Sequence, residues 1–109
     1  MIKKILFIAF LSVSFIGFSQ NIAEKTVKEL TASPNPFTNN TKITFTATQK
    51  TSVFFTVKNV LGKTVFKKAI KVIQGKNTIP FYKNNLSNGM YIYSIRDKKN
   101  ITSKRFVIQ

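Results

Sequence analysis

Apolar and polar side chains alternate along much of the chain after residue 30. The clearest examples are residues 42–47 and 52–58, in which every second residue is apolar. Successive side chains of a strand point to opposite faces of a sheet, so this alternation predicts half-buried β-strands. The side chains predicted to face inward in these two segments are Ile43, Phe45, Ala47, Val53, Phe55 and Val57. Further strands are predicted at residues 64–70, 77–81, 90–95 and 101–108.

The most apolar of these segments, residues 90–95, follows a Ser-Asn-Gly turn signal. Its two faces carry Tyr91, Tyr93 and Ile95 on one side and Met90, Ile92 and Ser94 on the other. Both faces are largely apolar, as in strands that are covered on both sides. We therefore predict a strand in the interior of a sheet, covered on both faces, with Tyr91 in the core and its hydroxyl at the rim.

Proline and glycine separate the predicted strands. Pro34 and Pro36 lack a backbone donor, so the segment Pro-Asn-Pro predicts a stiff, extended corner with Phe37 beneath it. Gly62 is predicted in a hairpin turn, because glycine adopts positive φ without steric cost. Leu86 is expected to close one end of the core.

Two features predict edge strands, namely the adjacent lysines Lys67 and Lys68 and the proline Pro80 within residues 77–81. About seven short strands at spacings near ten residues are typical of an all-β, antiparallel, immunoglobulin-like sandwich. No sustained helical period competes with this interpretation after residue 20. The predicted domain spans residues 30–109, and a short polar leader, residues 20–29, precedes it.

The first 19 residues have the features of a cleavable signal peptide. Lys3 and Lys4 precede an apolar run over residues 5–18, and the predicted cut lies between Ser19 and Gln20. This run is shorter than the roughly 20 residues that span a bilayer, so no transmembrane segment is expected after cleavage. We expect export by the Sec route to the periplasm.

Composition argues against catalysis. The chain has 18 Lys and Arg, 3 Asp and Glu, and neither His nor Cys. A nucleophile–imidazole pair, a thiolate and the usual zinc or copper ligand sets are therefore excluded. Nothing indicates that two of the three carboxylates, Glu24, Glu29 and Asp97, are held across a cleft. We predict no enzyme activity, no cofactor and no metal.

The positive charge bears on the partners of the protein. The formal net charge of +15 falls to +13 once the two signal-peptide lysines are removed. We expect no nucleic-acid binding, because export separates the chain from nucleic acid and the cations are mostly Lys rather than Arg. A polyanion at the cell surface, such as lipopolysaccharide, is the more plausible partner for this field.

Five motifs, taken in order, resemble a known family. They are residues 34–37, 57–65, 75–79, 86–91 and the basic–hydrophobic ending 104–108. The chain resembles the C-terminal sorting domain of the type IX secretion system (type A, or Por secretion sorting domain) of Bacteroidota. The resemblance covers roughly residues 30–109. It implies sorting-motif residues at Pro34, Asn35, Pro36, Phe37, Gly62, Lys63, Gly75, Leu86, Asn88, Gly89, Tyr91, Lys104, Arg105, Phe106 and Val107.

The resemblance implies a non-catalytic signal that the outer-membrane translocon recognises after Sec export. It further implies a sortase-like protease that cuts within residues 20–30 and commonly joins the cargo to anionic lipopolysaccharide at the cell surface. Residues 104–109 and the glycine turns are then the recognition surface. Deletion of residues 104–109 is expected to block export without unfolding the domain.

One departure from the family leaves two alternatives open. Family members normally follow a long cargo, whereas only about ten residues separate this domain from the predicted signal peptide. The chain is then either a fragment or a free-standing protein. A free-standing protein would be a secreted immunoglobulin-like binding module, or a small adhesin, for an anionic surface glycan.

Overall fold

The computed structural model describes residues 25–109, which form seven β-strands and no helix. The strands are β1 Val27–Ser33, β2 Asn40–Ala47, β3 Thr51–Asn59, β4 Thr64–Val72, β5 Gly75–Tyr82, β6 Gly89–Arg96 and β7 Ile101–Ile108. The predicted signal peptide, its cut between Ser19 and Gln20, and residues 20–24 of the predicted leader lie outside the described residues.

The strands pair into two antiparallel sheets. One has three strands in the order β1-β2-β5, and the other has four in the order β4-β3-β6-β7. Both predicted edge strands are confirmed. β4 is an outer strand with exposed Lys67 and Lys68, and β5 is an outer strand that contains Pro80. An outer strand tolerates Pro80 because one of its edges needs no backbone donor.

A single core of aromatic and aliphatic side chains lies between the two sheets. The predicted inward residues of β2 and β3 are all buried. Phe81 of the three-stranded sheet packs against Phe55 and Phe106 of the four-stranded sheet, with ring centroids 6.0 and 5.4 Å apart. The alternation along the sequence therefore corresponds to two layers, each with one buried face.

The prediction that both faces of the strand at residues 90–95 are covered is wrong. β6 does lie inside its sheet, between β3 and β7, and its inner face is buried. On its outer face, however, Met90 and Ile92 are 42% and 37% exposed. In a two-layer domain each sheet has only one neighbour, and no other element among residues 25–109 covers this face. Ser94 is buried there beside Ser103, whose Oγ lies 2.7 Å from that of Ser94.

The beginning of the domain and the proline corner also differ from expectation. β1 starts at Val27, which is buried together with Leu30, so the last three residues of the predicted leader belong to a strand. A register shift interrupts β1 at Glu29, whose φ is +57°. Residues 34–36 form successive bends rather than an extended corner, although Phe37 is buried beneath them as predicted.

Asp97 closes the turn between β6 and β7. Its Oδ1 accepts hydrogen bonds from the backbone N–H groups of Lys99 and Asn100 at 2.8 and 2.7 Å. Partial burial on its own would raise the pKa of this carboxyl. The two backbone donors, the Thr26 hydroxyl and the nearby Lys99 charge outweigh that effect and hold the pKa below its ordinary value.

This carboxyl predicts a loss of stability in acid. Because the pKa of Asp97 is lowered on folding, its contribution is complete above the unfolded-state pKa of about 3.9 and disappears as pH falls through the folded-state value. Urea unfolding of the unaltered protein and of Asp97→Asn should therefore differ at pH 6 and converge below about pH 4. A difference that stays constant down to pH 2.5 would contradict this assignment.

Two adjacent phenylalanines on β3 test the position of the core. Phe55 is fully buried, whereas Phe54 is 41% exposed on the opposite face. Phe55→Ala should lower the free energy of unfolding by about 3–5 kcal/mol. Phe54→Ala should lower it by less than about 1 kcal/mol, since Phe54 loses only surface contacts with Lys67 and Arg96. Similar unfolding midpoints in urea for the two variants would show that the faces are wrongly assigned.

Candidate functional site

The antiparallel topology divides the connections between two ends of the domain. We name the end formed by residues 34–39, 60–63, 83–88 and Gln109 the C-terminal end. The opposite end, which we name the entry end, consists of residues 25–26, 48–50, 73–74 and 97–100. Two contacts confirm this grouping across the sheets. Phe37 pairs with Ile108 at the C-terminal end, and the Thr26 hydroxyl lies close enough to Asp97 at the entry end to lower its pKa.

Most of the residues predicted as sorting motifs lie at or lead into the C-terminal end. These are Pro34, Asn35, Pro36, Phe37, Gly62, Lys63, Leu86, Asn88, Gly89, Tyr91, Lys104, Arg105, Phe106 and Val107. Gly75 does not join them, because it begins β5 at the entry end opposite Ala47. Ser19 and Gln20 lie outside the described residues.

The proline corner binds the outer edge of the last strand. The Asn35 side chain accepts a hydrogen bond from Val107 N at 2.9 Å and donates one to Arg105 O at 3.2 Å. Phe37 N donates to Val107 O at 3.0 Å, and Gln109 N donates to Phe37 O at 2.8 Å. The corner therefore pairs with the outward backbone N–H and C=O groups of β7 much as a neighbouring parallel strand would. We name this set of four hydrogen bonds the terminal clasp.

The clasp is anchored to the core beneath it. The ring of Phe37 packs edge-on against Phe106 and Phe81, with centroids 5.1 and 6.4 Å apart. The buried Thr41 donates its hydroxyl proton to Pro34 O at 2.7 Å. Sequence reasoning placed Phe37 correctly but did not foresee Thr41 or the ladder-like role of Asn35. The sequence did contain a signal for the role of Asn35. Its side-chain amide lies between two prolines, which lack backbone donors, and it offers both a hydrogen-bond donor and an acceptor.

The turn between β3 and β4 is the second feature of the C-terminal end. Asn59 Oδ1 accepts hydrogen bonds from Leu61 N and Lys63 N, each at 3.0 Å. Gly62 has a φ of +84° and open space where a Cβ would lie, so backbone conformation rather than crowding requires glycine here. The tip presents Val60 and Leu61 to solvent, with Leu61 88% exposed. Sequence reasoning did not single out these two apolar side chains.

The loop between β5 and β6 is the third feature. Lys83 Nζ donates to Asn88 Oδ1 at 2.9 Å, and Tyr91 Oη donates to Ser87 O at 2.7 Å. Tyr91 is buried and its hydroxyl finds a partner at the rim, as predicted. Leu86 is half-buried against the core, which agrees with its predicted position at one end.

Residues 31–109 match the family model described as the secretion system C-terminal sorting domain. The chain belongs to this family. The match covers all three features of the C-terminal end and confirms the resemblance to type IX sorting domains. No curated protein matches the chain.

Membership of this family defines the role of the domain in broad terms. A type IX sorting domain is a secretion signal that interacts with the type IX machinery and accompanies export to the cell surface or the extracellular space. Within residues 25–109 there is no helix long and apolar enough to cross a membrane. The same residues contain no group of three or more His, Cys, Asp or Glu side chains that could hold a metal ion.

The last strand of the sorting domain combines an exposed and a buried face. Lys104 and Arg105 are exposed, whereas Phe106 and Ile108 are fully buried. Tyr93 stacks on Phe106 with ring centroids 5.2 Å apart, and burial raises the pKa of its phenol. The burial of Phe106 and Ile108 contradicts the expectation that residues 104–109 can be deleted without unfolding. The truncation removes core side chains together with the exposed cations, so point substitutions are needed.

The clasp predicts a specific effect of Asn35→Ala. Loss of the amide should speed hydrogen exchange of the Val107 N–H by about tenfold, since one net hydrogen bond to that group disappears.

Asn77→Ala is the matched control for this exchange measurement. Asn77 makes a similar set of hydrogen bonds, to Ile73 and Gly75 at the entry end. After correction for global stability, its loss should leave exchange at Val107 unchanged. Equal exchange at Val107 in the two variants would contradict the clasp.

Proposed function

We propose that this domain is a non-catalytic sorting signal and that its C-terminal end is the surface recognised by the type IX translocon. The observation that carries the proposal is the clustering of the clasp, the Gly62 turn and the loop before β6 at one end, away from the point where the chain enters. A strand of eight residues at about 3.3 Å each separates the two ends by roughly 26 Å. A segment attached before residue 25 therefore joins the domain at the end opposite the C-terminal end.

The residues of the motifs have two kinds of role in this proposal. Lys63, Asn88, Lys104 and Arg105 are exposed and contact the machinery. Phe37, Leu86, Tyr91 and Phe106 are buried or half-buried and hold those side chains in place. Gly75 shapes the turn at the entry end and takes no part in recognition.

The domain adopts an immunoglobulin-like sandwich in this proposal. The strand orders β1-β2-β5 and β4-β3-β6-β7 support it. They correspond to the seven-strand constant-type arrangement, except that the fourth strand pairs with the third strand in the second sheet. Because β4 pairs in the second sheet, the sheet that contains β1 has only three strands.

Export begins with a signal peptide, residues 1–19, that is cut between Ser19 and Gln20 after Sec transport to the periplasm. A surface sortase then cuts before Val27 and joins any cargo to an anionic lipopolysaccharide. The pairing of β1 with β2 supports a cut before Val27 rather than within β1. Val27 and Leu30 are buried within β1, whereas a protease requires an accessible, extended substrate.

Transport of a reporter tests the proposed function. Residues 20–109 are fused behind a periplasmic reporter in a host with type IX secretion, and surface fluorescence is measured. The unaltered fusion should reach the surface, and Lys104→Glu with Arg105→Glu should reduce delivery by about tenfold, the effect of losing roughly 1.4 kcal/mol of binding. Both side chains are exposed, so the fold should persist.

The control pair for this assay is Lys42→Glu with Lys76→Glu, which changes the charge equally on the outer face of the other sheet. It should export normally. A reporter that stays in the periplasm with the unaltered domain would refute the proposed function.

One observation favours a second candidate, a binding module for an anionic surface glycan. The outer face of the four-stranded sheet carries Lys58, Lys67, Lys71, Arg96 and Arg105. Neither carboxylate among residues 25–109 lies on a strand of this face, since Glu29 is in β1 and Asp97 follows β6. Salt-sensitive binding to lipopolysaccharide vesicles, weakened by Lys58→Glu with Arg96→Glu but not by the control pair above, would support this function.

A further inference from the structure

Three of the four sheet edges carry a feature that opposes pairing with another strand. β4 has the adjacent Lys67 and Lys68, and β5 has Pro80. β1 has a register shift at Glu29, a residue with positive φ. Charges, prolines and bulges are the usual means by which proteins protect such edges.

The fourth edge, on β7, is covered only in part. Val107 uses both of its backbone groups in the clasp, so it forms a non-hydrogen-bonded pair with Met90 across the ladder to β6. Every second residue of an antiparallel strand shares that orientation. Ile101, Ser103 and Arg105 therefore also direct their N–H and C=O groups to the outer edge. The narrow contact between Ser103 Oγ and Ser94 Oγ, at 2.7 Å, fits this assignment.

The clasp ends at Arg105 O. Within the described part of the chain, the outward N–H groups of Ile101, Ser103 and Arg105 have no hydrogen-bond partner. The outward carbonyls of Ile101 and Ser103 have none either. We name this stretch, Ile101 to Arg105, the open edge. It contains no proline and no register shift. Its adjacent cations, Lys104 and Arg105, oppose a basic strand, as Lys67 and Lys68 do on β4, but not a strand that carries carboxylates.

Charge indicates which strand would fit. Lys104 and Arg105 lie on the open edge, Lys98 and Lys99 precede it, and residues 25–109 hold 16 cations against 2 carboxylates. A second copy of the chain would bring like charges together, whereas a segment with carboxylates would be attracted. Main-chain hydrogen bonds would supply affinity, and these four cations would supply selectivity for an acidic segment.

We propose that the export machinery binds this domain by adding an extended, carboxylate-bearing segment to the open edge of β7. This inference rests on the proposed sorting function and extends the recognised surface from the C-terminal end along β7 to Ile101, which follows the entry-end turn. The clasp holds the last strand in its sheet and ends at Arg105 O, so it leaves the outward groups of Ile101 and Ser103 unpaired within residues 25–109. Recognition then requires the folded domain, because an unfolded C-terminal peptide does not present aligned outward groups.

Proline substitution tests the inference in the reporter host used for the export assay. Ser103→Pro removes an outward N–H and blocks strand addition without removing a bond to β6. Its delivery is compared with that of Ser103→Ala, which loses the same hydroxyl but keeps the N–H. We expect Ser103→Pro to deliver about tenfold less reporter than Ser103→Ala, the factor for roughly 1.4 kcal/mol of binding.

Thr78→Pro provides the matched edge control. Thr78 lies two residues before Pro80 on the outer strand β5, so its N–H also points away from the sheet. This variant should export normally. The midpoint of thermal unfolding is measured for each variant. If the midpoint of Ser103→Pro is lower than that of the Thr78→Pro control, Ile101→Pro is used in its place.

The outcomes separate the two proposals. If the unaltered fusion is not exported, the sorting function itself fails. If it is exported and the folded β7 proline variant is exported as well as Ser103→Ala, strand addition at the open edge is wrong and the sorting function stands. Equal loss in Thr78→Pro would also overturn the inference, because the effect would then not be specific to β7.

Discussion

The packing of Phe106 is the interaction on which the rest of the domain depends. This buried ring on the last strand contacts the rings of Phe37, Phe81, Tyr91 and Tyr93, with centroid distances from 5.1 to 6.1 Å. These partners come from the proline corner, β5 and β6, so one side chain connects both sheets and the corner. Aromatic contacts of this kind add to the free energy of burying the rings.

The second constraint is the need to pair the backbone hydrogen-bonding groups at the edge of the sheet. A strand at the end of a sheet leaves one row of donors and acceptors unpaired. The corner satisfies part of that row on β7 through Asn35 and Phe37, which lie some 70 residues earlier in the chain. The C-terminal end is therefore assembled from distant segments and exists only in the folded domain. In the function proposed above, this surface is presented to the export machinery only by the folded domain, in contrast to a linear peptide signal.

The electrostatics of the domain act mainly at its surface. The described residues bury no lysine or arginine, and the single lowered carboxyl pKa belongs to a turn residue, Asp97. Stability therefore depends on packing and hydrogen bonding, while the positive field is available for partners. A field of this size attracts anionic surfaces but is screened within about 8 Å at physiological salt, so it selects a class of partner rather than one molecule.

The sequence alone determined six of the seven strands, their inward faces and most turns, because alternation and turn chemistry are local properties with a physical period. It did not place β1, whose residues read as a polar leader. Ile43, Phe45, Val53 and Phe55 were assigned to the core on that basis, and Gly62 to its turn. The family could also be recognised from its motifs. Only the tertiary structure decided that the outer face of β6 is exposed, since apolarity does not reveal whether another layer is present. Only the fold could bring Asn35 to Val107 and separate Gly75 from the other motifs, because those distances depend on sheet order rather than on neighbours in the chain.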